Sequence, residues 1–300
     1  MKSIYKTFKK HTAVDQVIYL SIAILLLLMI LVVVYPLFYI IIASFMDPTQ
    51  LLSDGLSLNI SDYSLKSYVT ILKDNSIMKG FLMSLFYSSF YALIVVISTL
   101  TIAYPLSIRN FVGKKLLMTL ILITMFFGGG LIPTYLLLKS MGFLNTIWAV
   151  LLPGAIGAWN VILAKTFFES LPKELREAAE IDGASHFQYF IKIVLPLSKP
   201  IIAVLALYAF VGQWNSYFDA MIYIEDQHLQ PLQVVLRRIL VQNQVPPGMM
   251  SAQQQMNELK KIAEMIKYSS IVLSSLPLLL LYPFFSKSFE KGVMIGSVKG

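Results

Sequence analysis

Residues 172–196 have the sequence PKELREAAEIDGASHFQYFIKIVLP, and this stretch decides how the rest of the chain is organised. Pro172 suits the first turn of a helix, where its missing N–H is not needed. Gly183 suits the left-handed position that ends a helix. Ser185 and Gln188 have the spacing of a capping box, so a second helix is predicted there, ending at the closing proline. The stretch therefore predicts a compact helix–glycine–helix knob, suited to fit a groove on another protein.

The composition indicates that the chain around this knob lies in a membrane. Of its 300 residues, 57% are hydrophobic and only 13% are charged, with a mean hydropathy of +0.72. A soluble domain with so few charges would not stay in solution. There are no cysteines, which excludes disulfides and thiolate metal sites. No nucleotide-binding P-loop and no cluster of histidines is present, so we predict that the chain is not an enzyme.

Six apolar runs are long enough to cross a hydrocarbon core, which needs about 20 residues of helix. They are residues 17–45, 81–108, 116–138, 147–168, 200–224 and 267–285. The first run is too long for a signal peptide, so we interpret it as an uncleaved span with a kink at Pro36. The predicted fold class is an all-α integral membrane protein with six transmembrane helices.

Lysine and arginine residues set the predicted orientation. If the N-terminus is cytoplasmic, the segments on that side carry most of the 24 basic residues, and the net charge of +8 lies there. The basic balance therefore reflects topology, and no nucleic-acid partner is predicted. Both termini are expected in the cytoplasm, together with the knob. The predicted division is an N-terminal tail (1–16), a membrane domain (17–290) with the knob region (170–197) and outer loops (46–80 and 225–266), and a C-terminal tail (291–300).

The knob carries the signature EAA-x3-G-x9-I-x-L-P, from Glu177 through Gly183 to Pro196. This resembles the membrane subunits of ATP-binding-cassette (ABC) importers, in which the loop docks into a cleft on the ATPase subunit. The resemblance implies an ATPase-coupling site, whose residues in this chain would be Glu177, Ala178, Ala179, Asp182, Gly183, Ile193, Leu195 and Pro196.

Two further segments resemble the second permease subunit of maltose-type carbohydrate importers: TYLLLKSMGFLNTIWAVLLP at residues 134–153, and the C-terminal tail. In that family the tail reaches the ATPase interface, which would place Lys299 and Gly300 there. The resemblance implies a second related permease subunit, two ATPase subunits, an extracellular or periplasmic sugar-binding protein and an oligosaccharide substrate, in the lipid of a bacterial cell membrane. The chain itself would bind no cofactor, because ATP and Mg²⁺ would lie on the ATPases. An importer of a non-sugar solute is the alternative, since the EAA loop is shared with importers of peptides, amino acids, phosphate and metals.

Polar and aromatic residues in two predicted spans are candidates for a sugar path. Asn215 and Asp219 are four residues apart and are predicted to share a helix face, as are Trp214 and Phe218. Asn160 lies at a comparable position in the fourth span. Amide and carboxylate groups pair with hydroxyls, and aromatic rings lie against pyranose faces. Alternatively, the aromatic residues form an interfacial belt and Asp219 is solvated.

The second outer loop contains Arg237 and Arg238 in a predicted helix. Both arginines are candidates for contact with acids on the binding protein or with an anionic sugar, and a solvated surface is the alternative. In the third span, three glycines at 128–130 predict a helix break or a close-packing point. They do not predict a phosphate cradle, because the Lys-Ser/Thr of a P-loop is absent.

Overall fold

The computed structural model describes residues 12–47, 50–51, 55–57, 59–242, 266–281 and 283. Apart from an isolated bridge between Met46 and Tyr63, regular structure in these ranges is helical, which confirms the all-α class. The helices are α1 (Ala13–Phe45), α2 (Lys66–Lys73), α3 (Asn75–Ser107), α4 (Lys114–Phe126), α5 (Leu131–Ser140), α6 (Trp148–Leu151), α7 (Ala158–Glu169), α8 (Lys173–Ile181), α9 (His186–Leu197), α10 (Lys199–Asn215), α11 (Phe218–Tyr223), α12 (Leu232–Gln242) and α13 (Ile266–Leu281).

Contacts within the chain define two compact units. One comprises Met1–Ile71 with Asn243–Leu273, and the other Leu72–Gln242 with Ser274–Gly300. In the first unit, α1 begins at a capping box in which the Asp15 N–H donates to Thr12 Oγ1 at 3.3 Å and the Thr12 N–H donates to the Asp15 carboxylate at 3.2 Å. The helix runs unbroken through Pro36 to Phe45.

The second unit is built around α3, which packs against α7, α10 and α12. Small buried residues recur every four positions over 80–92 of α3, and such stripes let membrane helices approach closely. A Cβ atom on Gly80 would lie 3.0 Å from Val235 Cγ2. The Leu232 N–H donates to Ser84 Oγ at 2.8 Å, which satisfies a backbone donor at the start of α12. The first turns of α12 are therefore fixed directly on α3.

Three of the predicted spans are broken: the description of the fifth as one continuous helix face is wrong, whereas a helix break or a packing point was predicted at the glycines of the third. In the third, α4 and α5 are bent by 117° at residues 127–130, where Gly130 has φ +81°. Among the described residues no atom lies within 4 Å of a Cβ built on Gly128 or Gly130, and the bend at the triplet matches the predicted helix break. The fourth span is α6 and α7 separated by a turn at Gly154, and the fifth is α10 and α11.

By length and composition, the described residues contain two helices able to cross a membrane, α1 and α3. The number rises to four if each bent pair is one span, the pairs being α4 with α5 and α9 with α10. The sixth predicted run contributes the shorter apolar helix α13. Broken helices are tolerated at membrane depth where neighbouring protein satisfies the freed backbone groups.

Candidate functional site

The first half of the knob (residues 172–196) is α8, which ends in a Schellman motif at Gly183. The Ala184 N–H donates to the Ala179 carbonyl oxygen at 2.9 Å, and the Gly183 N–H donates to the Glu180 carbonyl oxygen at 3.1 Å. Gly183 has φ +72°, and no atom lies within 4 Å of a Cβ built there. The predicted glycine turn is confirmed. Pro172 lies at the N-cap, one residue before α8, and not in its first turn as predicted.

The second half of the knob begins as predicted, at a capping box. The Gln188 N–H donates to Ser185 Oγ at 3.2 Å, and the Ser185 N–H donates to Gln188 Oε1 at 2.9 Å. These reciprocal bonds fix the direction in which the chain leaves the Gly183 turn. The two halves are therefore set by two local motifs placed two residues apart in the sequence.

Pro196 does not end the second helix, contrary to the prediction. Residues Phe190–Val194 form a π-helical turn, in which the Leu195 N–H bonds to the Phe190 carbonyl five residues earlier. A proline lacks the N–H of the usual helical bond, and the wider turn accommodates it. The helix continues to Leu197, and α10 starts at Lys199 with a bend of 76°. The family signature thus ends at a bend that leads straight into a membrane helix.

The knob has a buried face and an exposed face. Ala179, Tyr189 and Val194 are buried in a cluster with residues of α3 and α7. On the other side, Ile181 is 86% exposed and Phe187 is 71% exposed. Large apolar side chains left open on a polar loop are typical of a protein–protein contact. Glu177 and Ala178, the first residues of the signature, are also exposed.

One tyrosine of α3 ties the knob to the membrane helices. The Tyr104 hydroxyl donates to the His186 carbonyl oxygen at 3.1 Å. The Tyr104 ring lies 4.6 Å from that of Phe190, centroid to centroid. Aromatic contacts of this kind add about 0.5–1.5 kcal/mol beyond the area that they bury. Because α3 is the central helix of its unit, a displacement of the second half of the knob acts directly on the core.

A carboxylate at the end of α7 anchors the chain just before the knob. Glu169 pairs with Lys114, at the start of α4, at 3.1 Å and with Lys165, one turn earlier in α7, at 2.8 Å. Partial burial of Glu169 acts to raise its pKa, but the hydrogen bonds and charges of Lys165 and Lys114 outweigh this effect and lower the pKa below its ordinary value. The entry to the knob is therefore joined to α4.

A cavity of about 480 Å³ lies between the end of α3 and the first half of the knob. Its lining mixes bases and acids, including Arg109, Lys173 and Glu177. Arg176, also in the lining, pairs with Glu180 at 2.8 Å along α8. The glutamate of the family signature and the arginine that follows α3 thus line the same cavity.

The predicted sugar-path face of the fifth span does not exist as one helix face. α10 ends at Asn215 and α11 begins at Phe218, so neither Asn215 and Asp219 nor Trp214 and Phe218 are related by a helical turn. Trp214 is only 1% exposed, and its indole N–H donates to the Ser274 carbonyl oxygen at 2.9 Å. The structure thus places Trp214 in the core and not on an open surface.

The other path candidates are accessible to different degrees. Asn215 and Phe218 are exposed, and Asp219 is half-buried. Asn215 Nδ2 donates to the Val211 carbonyl at 3.0 Å. Asn160 is half-buried in α7, and within the described ranges no hydrogen bond joins it to residues 215–219. Asn215, Phe218 and Asp219 therefore lie at the break between α10 and α11, whereas Asn160 lies in α7.

Arg237 also reaches this break, which the sequence did not predict. Its guanidinium carbon lies 4.9 Å from the centroid of the Tyr217 ring, and Nη1 donates to Met221 Sδ at 3.1 Å. Arg238 points elsewhere and donates from Nη1 to Gln230 Oε1 at 3.2 Å. The two arginines, both predicted as candidates for the same contacts, thus have separate surroundings.

Asn145 is a structural residue that sequence reasoning missed. It has φ +57°, a left-handed conformation that asparagine tolerates better than most residues. Its N–H donates to the Tyr223 carbonyl at 2.8 Å, and its Oδ1 accepts the N–H groups of Glu225 at 3.0 Å and Asp226 at 2.8 Å. Asn145 thereby joins the turn after α5 to the end of α11. Its place shortly after Gly142 in the sequence was the available turn signal.

Lys299 and Gly300, predicted at an ATPase interface, lie outside the described residues, as does most of the second outer loop after Gln242. The predictions about these segments remain predictions.

Comparison with known proteins identifies the family. Residues 105–225 match the family model described as "binding-protein-dependent transport system inner membrane component". The chain is 39% identical over 281 residues to protein LplC of Bacillus subtilis (strain 168), covering 90% of each chain. It is 40% identical over 276 residues to the polygalacturonan/rhamnogalacturonan transport system permease protein YtcP of the same organism, covering 92% of this chain and 96% of that one.

A solved structure shares the fold along nine-tenths of this chain. It is a chain of the crystal structure of a bacterial ABC transporter involved in the import of the acidic polysaccharide alginate, with 28% identity, a TM-score of 0.83 and coverage of 92% of this chain and 98% of that one. With such similarity to permease proteins along nine-tenths of its length, the chain belongs to the family of inner membrane components of binding-protein-dependent transport systems.

Proposed function

We propose that this chain is one of two related permease subunits of an ABC importer that takes up oligosaccharides across a bacterial cell membrane. The observation that carries the proposal is the knob, which has the complete family signature, an exposed apolar face and a buried face tied to α3 through Tyr104. The names of the relatives support the cargo class, since one is named for polygalacturonan and rhamnogalacturonan and another for arabino-oligosaccharides.

In this proposal the exposed face of the knob docks into a cleft on an ATPase subunit. Phe187 and Ile181 supply the apolar contact, and Glu177 borders it. ATP and Mg²⁺ are bound by two partner ATPases, and their closure moves the knob as a rigid body. The motion reaches α3 through Tyr104 and α10 through the bend after Leu197. Import requires that the nucleotide and the loaded binding protein favour different conformations of the permease.

We further propose six membrane crossings with both termini in the cytoplasm. The bias of lysine and arginine residues supports this orientation. Crossings three, four and five are each broken in this arrangement, and such breaks commonly line a transport path. The C-terminal Lys299 and Gly300 are proposed to lie at the ATPase interface.

Asn160, Asn215, Phe218 and Asp219 are proposed to border the substrate path. Residues 225–266 are proposed to face a sugar-binding protein outside the membrane, with Arg237 and Arg238 at the start of that surface, where they contact either acids on that protein or an anionic sugar. The alternative cargo, a non-sugar solute, predicts a binding protein of different specificity.

Purification of the tagged chain from its native membrane in mild detergent tests the proposal. We expect a second permease subunit, an ATPase and a sugar-binding protein to be recovered with it, and the ligand of that binding protein defines the cargo. Deletion of the chain should abolish uptake of that oligosaccharide. Recovery of the chain without any ATPase would overturn the coupling role, and a binding protein for amino acids, peptides or metals would overturn the cargo class.

A further inference from the structure

We propose that Arg237 and Tyr217 form a recognition site for a carboxylate group of an acidic oligosaccharide, as part of the substrate path. The inference rests on the proposed import of oligosaccharides and assigns the charge of the cargo. The evidence is the set of contacts that Arg237 makes. Arg237 lies outside both the knob and the family signature.

Arg237 is an exposed cation held in place by uncharged groups. Its guanidinium lies over the Tyr217 ring at 4.9 Å, and one nitrogen donates to Met221 Sδ at 3.1 Å. Within the described ranges, the ion pairs are those of Lys114, Lys165 and Arg176, and no carboxylate lies within 4.0 Å of Arg237. An arginine that serves only to stabilise the fold usually has an acid or a set of carbonyl oxygens as its partner. Among the described residues, Arg237 contacts the Tyr217 ring and Met221 Sδ and no acid.

The geometry that remains suits a carboxylate. Guanidinium is planar and binds carboxylates through two parallel N–H···O bonds, and it stacks on aromatic rings at the same time. Tyr217 and Met221 occupy one face and one nitrogen of Arg237 and leave other N–H groups available. A side chain already restricted in this way loses less conformational freedom on binding.

The residues next to Tyr217, the ring on which this arginine stacks, suit a sugar ring. Tyr217 is 41% exposed and Phe218 is 46% exposed, both at the break between α10 and α11. Asn215, at the end of α10, uses its Nδ2 for the Val211 carbonyl, which leaves Oδ1 able to accept from a hydroxyl. Two exposed aromatic rings and an amide oxygen thus lie within residues 215–218, and Arg237 stacks on one of those rings. A uronate residue offers the matching ring face, hydroxyls and carboxylate.

Arg238 provides a natural comparison. Arg238 is half-buried, and its guanidinium donates to Oε1 of Gln230 at 3.2 Å. Gln230 lies two residues before the start of α12. Among the described residues, Arg238 has no aromatic ring beneath it and no hydrogen bond or ion pair with residues 215–219. A general effect of positive charge on α12 would affect both arginines alike, whereas a specific carboxylate site would depend on Arg237 alone.

The test measures binding of sugars to the assembled importer, with both permeases and both ATPases in lipid nanodiscs and without the binding protein. The probes are oligosaccharides from pectin and alginate digests, each before and after methyl esterification of the carboxylates, and the readout is saturation-transfer NMR. Wild type should prefer the acidic forms. Arg237→Gln should reduce the ratio of the two affinities, acidic form over ester, about ten-fold or more, because it removes a charged hydrogen-bonded pair. Binding of the esters should not weaken. Arg237→Lys should retain part of the preference, and Arg238→Gln should change binding of both forms by the same factor.

An acidic preference that survives in Arg237→Gln would overturn the proposal. The same holds if Arg237→Gln leaves sugar binding intact and weakens docking of the binding protein, because Arg237 would then contact an acid on that protein. A wild-type importer that takes up only neutral oligosaccharides would also contradict the acidic site and leave the proposed function standing. If cells take up no oligosaccharide through the importer, the proposed function itself fails.

Discussion

The Tyr104 hydroxyl donates a hydrogen bond to the His186 carbonyl oxygen at 3.1 Å, which joins the central membrane helix α3 to the knob. The two residues are 82 positions apart in the sequence. The Tyr104 ring also packs 4.6 Å from the ring of Phe190, in the π-helical turn of α9. Movement of the knob is therefore opposed by both a polar and an aromatic contact with α3.

Replacing Tyr104 by phenylalanine should weaken coupling without unfolding the knob. The ring contacts remain, and the lost hydrogen bond is worth about 0.5–1.5 kcal/mol. We expect fewer oligosaccharides imported per ATP hydrolysed, measured as uptake and ATPase activity on the same proteoliposomes. Tyr91→Phe is the matched control, because Tyr91 lies on the same helix and its hydroxyl donates to the Gly154 carbonyl oxygen at 3.0 Å, away from the knob. Equal transport per ATP in wild type and Tyr104→Phe would contradict this role.

Replacing Gly183 should damage the turn through the backbone alone. A Cβ at this position meets no atom within 4 Å, so the cost is the left-handed conformation at φ +72°, about 1–2 kcal/mol for most residues. Gly183→Val should therefore reduce uptake and stimulated ATPase activity, whereas Gly183→Asn should retain most of both. Gly212→Ala is the control, since that glycine lies within α10 and its added Cβ also meets nothing. Normal activity of Gly183→Val would refute the argument.

Adding a single methyl group at Gly80 should separate α12 from α3. The new Cβ would lie 3.0 Å from Val235 Cγ2 and 3.2 Å from the Leu232 Cα, and backbone atoms cannot yield as a flexible side chain does. Overpacking of this kind costs about 1–3 kcal/mol. We expect a lower melting temperature for Gly80→Ala in detergent. An unchanged melting temperature would show that the two helices are not held as closely as described.

Substitutions of Asn145 should separate its backbone role from its hydrogen bonds. Asn145→Asp retains the acceptor for the Glu225 and Asp226 N–H groups, so it should be tolerated best. Asn145→Gly loses those bonds and tolerates φ +57°, whereas Asn145→Ala loses the bonds and is strained by about 1–2 kcal/mol more. Resistance to proteolysis is expected to be highest for Asn145→Asp, lower for Asn145→Gly and lowest for Asn145→Ala. An alanine variant as resistant as wild type would contradict this role.

The Glu169 ion pairs should give the protein a pH-dependent stability. The carboxyl has a lowered pKa in the folded state, so its contribution is present above the ordinary value of 4.5 and is lost as the pH falls through the lower folded value. The side chain is 37% exposed, which limits the contribution to a surface value of about 1 kcal/mol or less. The difference in melting temperature between wild type and Glu169→Gln should shrink as the pH falls below 4.5 and as salt is added. A difference that does not vary with pH would rule out the ion pairs as its source.

The local chemistry of the knob was predictable because it depends on neighbouring residues. A glycine after an amphipathic helix predicts a turn, and a serine three residues before a glutamine predicts a cap; both are present, at Gly183 and Ser185. The all-helical class followed from hydrophobicity in the same way.

The break between α10 and α11 and the contacts of Arg237 were not predictable on these grounds, whereas the glycines at 128–130 had indicated the break in the third span. An apolar run from 200 to 224 has the composition of one span, and the interruption at residues 216–217 contains neither glycine nor proline. The pairing of Tyr217 with Arg237 depends on how α12 folds back on α11, which no local pattern encodes. Trp214 was misplaced for the same reason, since burial beside Phe210 and Phe81 is a property of packing.

Site-directed cross-linking from the exposed face of the knob is the most direct test of coupling to an ATPase. The chain has no cysteine, so each introduced thiol is unique within it. Phe187→Cys, at a position that is 71% exposed, should cross-link to the ATPase in native membranes, and the yield should change when ATP is added. Ile60→Cys, at a position that is 85% exposed in the predicted outer loop, should not cross-link and should instead react with a membrane-impermeant reagent added from outside. A Phe187 thiol that reacts from outside the cell and never cross-links to an ATPase would contradict both the orientation and the coupling role of the knob.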